Sequence, residues 1–410
     1  MTDDRFYDDL ETRSGDQRET VQFAELRSQL AMAREKAPYF TSILADHDLD
    51  GIVDRAALAA LPVTRKADLL KLQADTPPFG GLATQDAGAF ARLFLSPGPI
   101  YEPQGTGHDW FRVARTLYAA GFRKGDIVHN CFAYHLTPGG FLLDSGARAL
   151  GCAVIPAGVG NTEMQLQVLA QYKPCAYTGT PDYLKILLDK ADEAGVDTSF
   201  LTKAGVGGAA LPESLRSELE ARGVHTRQSY ATADLGVIAY ETEALEGMVV
   251  NEGAIVEIVR PGTGEPVAEG EVGEVVVTIL NKDYPLLRFA TGDMSAVLAG
   301  NCPTGRTNMR IKGWMGRADQ RTKVKGMFID PAQIAEVIKR HPEIKKARLM
   351  VMRDGEADAM ILAVEAENAD AGAIEASLQD ICKVRGTVTI VTPGSLPNDG
   401  KIISDERDYG

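Results

Sequence analysis

The chain has 410 residues, 44% hydrophobic and 24% charged, which is enough to bury a large core across two or three domains and excludes a short peptide module. Lys and Arg number 43 against 57 Asp and Glu, a net charge of -14; this argues against a nucleic-acid partner held on a broad basic surface and requires local positive charge wherever an anion binds. The five cysteines are scattered without a C-x-x-C pair, the first twenty residues carry seven acids against three bases, and no apolar run approaches the roughly 18 residues of a membrane span, so reduced thiols and a cytoplasmic, membrane-free setting are expected.

Residues 18–36 place Val21, Phe23, Leu26, Leu30 and Met32 at near-helical spacing with charges between them, predicting an amphipathic opening helix. The connector Leu61-Pro62-Val63-Thr64-Arg65-Lys66-Ala67-Asp68 leads into a short helical pattern that Pro77-Pro78 and Gly80-Gly81 break. From about residue 90 apolar strands alternate with amphipathic helices: 90–95 then 110–120, 126–132 then 141–150, 152–156 then 163–171, and 176–179 then 183–194. This rhythm predicts a mostly parallel sheet flanked by helices, with ligands at the C-terminal strand ends. After residue 237 the helical period fades into short strands (253–259, 273–280, 294–298) of an antiparallel subdomain, and beyond residue 317 a hairpin-like stretch, a helix at 331–340, two strands and a helix at 373–383 form a small α+β unit. The expected fold class is therefore α/β. A domain at 1–316 comprises a helical lead-in (1–89), an α/β core (90–236) and a β-rich part (237–316), followed by a C-terminal lid at 317–410.

Four segments carry chemistry. The turn Gly207-Gly208-Ala209 lies between a strand and a helix with Pro212 in its first turn, where glycines admit a ligand to the backbone and the helix start favours negative charge; it does not fit G-x-G-x-x-G, and a plain tight turn is the alternative. Ser229-Tyr230-Ala231-Thr232 and Asp234 crowd an aromatic ring, a hydroxyl and a carboxylate after a strand, suited to a flat base, a phosphate and a hard cation, or forming no more than a polar loop. Thr291-Gly292-Asp293 reads as a tight turn whose carboxylate suits the two hydroxyls of a ribose, although Asp also occurs in turns for local reasons. Between Arg306 and Lys325 seven bases face one acid, a strip expected to receive polyanions or to form a solvated basic face.

These segments, in this order and running on through Arg317, Asp319, Lys325-Gly326 and Gly400-Lys401, resemble the core motifs of the adenylate-forming superfamily. The 61–68 connector and Asp330-Pro331-Ala332-Gln333 look like its phenylacetate-CoA ligase branch. The resemblance implies a ligase that makes an acyl adenylate from a carboxylic acid and ATP, then moves its lid and passes the acyl group to coenzyme A. By the same resemblance Asp293 binds the ribose, Tyr230 and Gly207-Gly208-Ala209 flank the adenine, Thr232 touches phosphate and Asp234 stands where relatives hold magnesium with a glutamate. Lys401 meets the reacting carboxylate and α-phosphate, Arg317 and Asp319 mark the hinge, and Lys325 and Gly326 serve coenzyme A. Relatives of this type are often dimers, so a homodimer is an expected assembly.

Three departures stand out. Where the superfamily has a Ser/Thr/Gly phosphate loop, residues 94–108 carry three prolines and Glu102, a poor cradle whose work Ser96 or Gly105-Thr106-Gly107 is expected to share. Ala290 stands where relatives often have a second arginine before Thr-Gly-Asp. Cys302-Pro303-Thr304-Gly305 resembles a metal knuckle with Thr304 and Asn308 in place of ligands; one thiolate does not make a structural zinc site, so no zinc is expected. Phe132, Tyr134 and His135, after a buried-strand pattern, are candidates for an aromatic acid's pocket, with ordinary core packing as the alternative. An adenylating ligase with a different acceptor, and a nucleotide or acyl-adenylate binder lacking the phosphate loop, are the alternative functions.

Overall fold

The computed structural model describes residues 4–318, 322–325, 327–354, 357–397 and 401–407. The chain forms two compact units: residues 1–256, 277–289 and 298–313 make the first, and 257–276, 290–297 and 314–410 the second.

In the first unit the opening helix spans Gly15–Lys36. Ser14 caps it reciprocally with Gln17, accepting from the Gln17 amide at 3.2 Å while Gln17 Oε1 accepts from the Ser14 amide at 3.1 Å. Its buried stripe is Phe23, Leu26, Leu30 and Ala33, but Val21, expected on that stripe, is 44% exposed. Polar Gln22 and Gln29 are buried instead. Their side-chain amides donate to the carbonyls of Glu252 at 3.0 Å and Ile279 at 2.7 Å, which offsets the cost of burying them.

Across the central sheet the strands run in the order Arg310–Ile311, Met248–Val250, Gly236–Tyr240, His225–Thr232, Lys203–Val206, Ala176–Gly179, Ile127–Asn130 and Ala153–Pro156. The last five are mutually parallel, and Gly236–Tyr240 and Met248–Val250 begin the antiparallel part. Helices Gly139–Ala149, Thr162–Tyr172, Pro181–Ala194 and Glu213–Ala221 connect the parallel strands, as the alternation predicts. Side chains alternate across the sheet. Ala176 joins a cluster with Leu117, Phe122, Leu142 and Leu143, whereas its neighbour Tyr177 joins Leu169, Leu184, Leu187 and Leu188. Residues 92–104 form a separate antiparallel hairpin, Arg92–Ser96 against Ile100–Gln104.

In the second unit the sheet order is Thr387–Val391, Ala357–Glu365, Lys346–Asp354 and Ile403–Asp405, a central antiparallel pair with a parallel strand on either side. The two outer strands were not among the predicted elements. Helix Pro331–Arg340 opens with proline in its first turn and an Asp330/Gln333 capping box, and with helix Ala371–Cys382 it covers a core of Ile334, Val337, Leu349, Leu362, Ile374 and Leu378. No helix among the described residues is long and apolar enough to cross a membrane.

Candidate active site

Parallel strands present their carboxyl ends to one edge of the sheet, and four predicted positions of the first unit meet there. Cys131, after the strand Ile127–Asn130, donates its amide to Thr178 O at 2.7 Å, and the Gly207 amide reaches Gly179 O at 3.3 Å. A Cβ on Gly207 would lie 3.2 Å from Ser229 O, and one on Gly208, whose φ is +72°, would lie 3.4 Å from the Phe132 ring. The turn therefore needs its glycines to pass this close to both neighbours. Gly208 and Ala209 are exposed. Ser229, Tyr230, Ala231 and Thr232 belong to the strand His225–Thr232 rather than to a loop, with a bulge between Tyr230 and Ala231. Tyr230 is buried, and Thr232 Oγ1 accepts the Leu235 amide at 3.1 Å in the turn that follows.

Beside this edge Asn130 fixes the candidate acid pocket. Its amide nitrogen donates to Tyr134 Oη at 2.7 Å and to Gly140 O at 2.8 Å, and Tyr134 Oη donates in turn to Asp144 Oδ2 at 3.3 Å. Burial, then the Asp144 charge, hold the Tyr134 phenol protonated far above its usual range. Phe141 meets Tyr134 edge-on at 5.1 Å, and the Arg92 guanidinium lies 4.6 Å from the Phe141 ring centre. Phe132 and Tyr134 are thus half-buried around a polar brace. His135 is exposed and has no place in that brace. Asp144 and Phe141 are the pocket residues that sequence reasoning missed; their spacing from Tyr134 along the start of helix Gly139–Ala149 was the available signal.

The hairpin at 92–104 overturns one expectation. Ser96 is buried and donates to Glu102 Oε1 at 2.9 Å, so it is not presented to phosphate. Glu102, itself 1% exposed, has its carboxyl pushed up to about 9. Burial is the main cause, followed by the charge of Asp234 and a hydrogen bond shared with it. These causes favour the protonated form of Glu102 beside Asp234. The fully buried Asp234 carboxylate also accepts Lys66 Nζ at 2.5 Å. Tyr284, buried, feels both carboxyls and keeps its phenol protonated. Three distant segments thus converge on Asp234. Gly105-Thr106-Gly107 lies apart from Asp234, in a cavity of about 210 Å³ that it lines with Arg92, His108, Arg148 and the same Phe141 and Asp144 that surround Tyr134.

In the second unit Asp293 lies within the strand Phe289–Ser295, not on a tight turn; Gly292, with φ +76°, supplies the local kink. Thr291 Oγ1 accepts the Asp293 amide at 3.0 Å and donates to Val275 O at 3.1 Å. Arg317 Nη1 and Trp314 Nε1 both donate to Asp293 Oδ1 at 3.1 Å. Lys325 is exposed with φ +48°, its amide donating to Asp358 Oδ2 at 2.9 Å. Lys401 is exposed and lines a cleft of about 60 Å³ with Arg260, Lys345, Lys346 and Glu271. Asp319, Gly326 and Gly400 lie outside the described residues.

The basic strip is not continuous. Arg306 is buried against Glu11 at 2.8 Å, and Arg310 is buried with bonds to Glu246 and to the carbonyls of Ala299 and Gly300, so neither meets a polyanion. The Cys302 loop is filled by its own contacts: Cys302 Sγ lies 3.1 Å from Thr304 Oγ1, which accepts Arg306 Nη1 at 3.0 Å, while Asn308 donates to Val250 O at 2.9 Å. Among the described residues no three His, Cys, Asp or Glu side chains are grouped to hold a metal ion. Asp234, whose carboxylate Lys66 also reaches, fits magnesium's habit of taking one or two carboxylates and completing its shell with water and substrate phosphate.

Comparison with known proteins bears on the family and the fold. The profile of the family described as AMP-binding enzyme matches residues 145–279. The phenylacetate-coenzyme A ligase of Aromatoleum evansii is 32% identical over 374 residues, 87% of this chain and 83% of that protein; its Thermus thermophilus counterpart is also 32% identical, over 375 residues with the same coverage. The Escherichia coli phenylacetate-coenzyme A ligase is 29% identical over 97% of this chain and 95% of its own. Among solved structures, 2-hydroxyisobutyryl-CoA ligase in the postadenylation state with 2-HIB-AMP shares the fold at a TM-score of 0.73 and 23% identity, covering 99% of this chain and 93% of that one. The chain belongs to the phenylacetate-coenzyme A ligase family of AMP-binding enzymes.

Proposed function

We propose that the protein is an AMP-forming acid–CoA ligase, with an aryl or arylacetic acid as its first candidate substrate. A carboxylate oxygen attacks the α-phosphorus of ATP and the bond to pyrophosphate breaks; the thiol of coenzyme A then attacks the acyl carbon, the bond to AMP breaks and the thiol proton leaves to solvent. Family membership supports the reaction class. The observation that supports the nucleotide half most directly is the Asp293 carboxylate, held by Arg317 and Trp314 where two ribose hydroxyls have an acceptor.

Tyr230 and Gly207-Gly208-Ala209 flank the adenine in this reading, with Ser229 and Ala231 on the same strand and Thr232 toward phosphate. Phe132 and Tyr134 line the acid's ring, and His135 serves at the pocket's exposed margin. Lys401 stabilises negative charge as it builds between carboxylate and α-phosphate. Magnesium, when bound, neutralises phosphate charge, and Asp234 would hold it. The division at residue 316, with Arg317 and Asp319 at the hinge and Lys325 and Gly326 moving with 317–410 to the thioester step, belongs to the same proposal. So do a homodimer, a cytoplasmic setting, and a reaction without zinc, nucleic acid or membrane.

The test is acid-dependent pyrophosphate release with ATP and magnesium over a panel of aryl, arylacetic and short hydroxy acids, followed by product mass with and without coenzyme A. If no acid elicits pyrophosphate, the reading is wrong; an amide or other ester in place of the thioester would identify a different acceptor. The hairpin favours a second reading, because Pro97 and Pro99 in its turn carry no amide N–H and Ser96 is already bonded to Glu102. A protein that binds acyl adenylate without making it would convert supplied acyl adenylate and coenzyme A to thioester yet release no pyrophosphate from ATP.

A further inference from the structure

The chain contains two tryptophans, and their environments differ. Trp110 is half-buried with its ring against Gly105, where an added Cβ would come within 2.1 Å of it. Trp314 is 58% exposed, yet its one polar atom is spent on a specific acceptor, Asp293 Oδ1. A large ring left mostly in water with its N–H directed at a buried carboxylate is not explained by core packing.

The backbone explains how the ring is held. Residues 315–318 run beside 292–294: the Met315 amide donates to Met294 O at 2.8 Å, the Met294 amide to Gly316 O at 2.9 Å, and the Ala318 amide to Gly292 O at 2.7 Å. Met315 packs against Val272, Met294, Ala296 and Ala318, which turns its neighbour Trp314 outward. Gly313 and Gly316, at φ +90° and +120°, let the chain enter and leave this short ladder. Trp314 is therefore fixed by its backbone rather than by burial of its ring.

Arg317 already gives Asp293 a charge partner, so charge compensation is not what the indole adds. A carboxylate rotates easily about its last bond, and two donors converging on one oxygen from different side chains restrict that rotation. We infer that Trp314 is a positioning residue for nucleotide recognition: its indole N–H orients the Asp293 carboxylate toward the ribose hydroxyls, and its exposed face borders the bound nucleotide, making it a determinant of ribose over deoxyribose. This rests on the reading of Asp293 as the ribose acceptor.

The test uses the full-length protein and variants W314F, which keeps a ring and loses the N–H, W314H, which restores a ring N–H, and D293N. Rates of acid-dependent pyrophosphate release are compared for ATP and 2′-deoxy-ATP. The wild type should favour ATP; W314F should lose about tenfold of that preference, the worth of one hydrogen bond to a charged group, through KM for ATP more than through kcat, and W314H should recover part of it. In a W110F background, where Trp314 is the remaining indole, AMP titration should change the emission with the same midpoint that calorimetry gives. The inference is overturned if W314F keeps the full ATP preference, or if calorimetry shows AMP binding while Trp314 emission stays still. If D293N also keeps the preference, or AMP does not bind the wild type, the ribose reading itself fails and the role of Trp314 with it; loss in D293N alone would refute only Trp314.

Discussion

Glu102→Gln removes the proton that Glu102 holds beside Asp234 while keeping its shape: the amide nitrogen donates to Asp234 and the amide oxygen still accepts from Ser96. In the folded protein the Glu102 carboxyl is raised from 4.5 to about 9, so between these values the folded state holds a proton that the unfolded chain releases. Stability must therefore fall as pH rises through that window, by about 1.4 kcal/mol per pH unit. From 4.5 to pH 7 this amounts to about 3 kcal/mol held against the wild type and absent from the variant. Urea unfolding followed by far-UV circular dichroism at pH 5, 6, 7 and 8 should show the two proteins nearly equal at pH 5. E102Q should then be progressively the more stable, by about 3 kcal/mol at pH 7. Parallel pH profiles would refute the raised Glu102 carboxyl, and a variant less stable at pH 8 would show that Glu102 is ionised in the folded state.

Three further outcomes follow from the same structure. Arg306→Ala leaves Glu11 buried and without its ion pair; it should cost about 3–5 kcal/mol in urea unfolding, and a loss below 1 kcal/mol would contradict the buried pair. Lys401→Ala should abolish acid-dependent pyrophosphate release while supplied acyl adenylate is still converted to thioester, since charge builds beside Lys401 only in the first step; equal loss of both steps would count against this role. Gly140→Ala would place a Cβ 2.7 Å from the Tyr134 ring and 2.9 Å from Ala133 O. It should raise KM for the acid more than KM for ATP and cost about 1–3 kcal/mol, whereas unchanged acid kinetics would remove Tyr134 from the pocket.

Much of this architecture is legible in local pattern. The alternation of apolar strands and amphipathic helices depends on neighbours within a few residues, so the strand Ala176–Gly179 and the helix Pro331–Arg340 emerge at their predicted bounds. The motif residues from Tyr230 to Lys401 were recognisable for the same reason, because each is a short run with its own turn or strand chemistry. Periodicity was less informative about which face a single residue takes. Val21 fits the apolar stripe by spacing but is exposed, while Gln22 and Gln29 are buried because distant carbonyls lie in reach.

By itself, then, the sequence determined the α/β class, the order of the elements and the family, since all three are carried by residues close together in the chain. Tertiary structure decided which of those residues meet. Lys66, Glu102 and Asp234 come from three segments, and the ion pair and the raised Glu102 carboxyl exist only once the hairpin, the 61–68 connector and the turn after the strand His225–Thr232 come together. Arg306 and Arg310 look like a site for polyanions until Glu11, nearly three hundred residues away, claims the first and backbone carbonyls the second. Asp293 was legible as a candidate, but Trp314 beside it was not. Its role depends on a ladder between residues 292–294 and 315–318, and long-range pairing of that kind is set by strand order and register, which local composition does not encode.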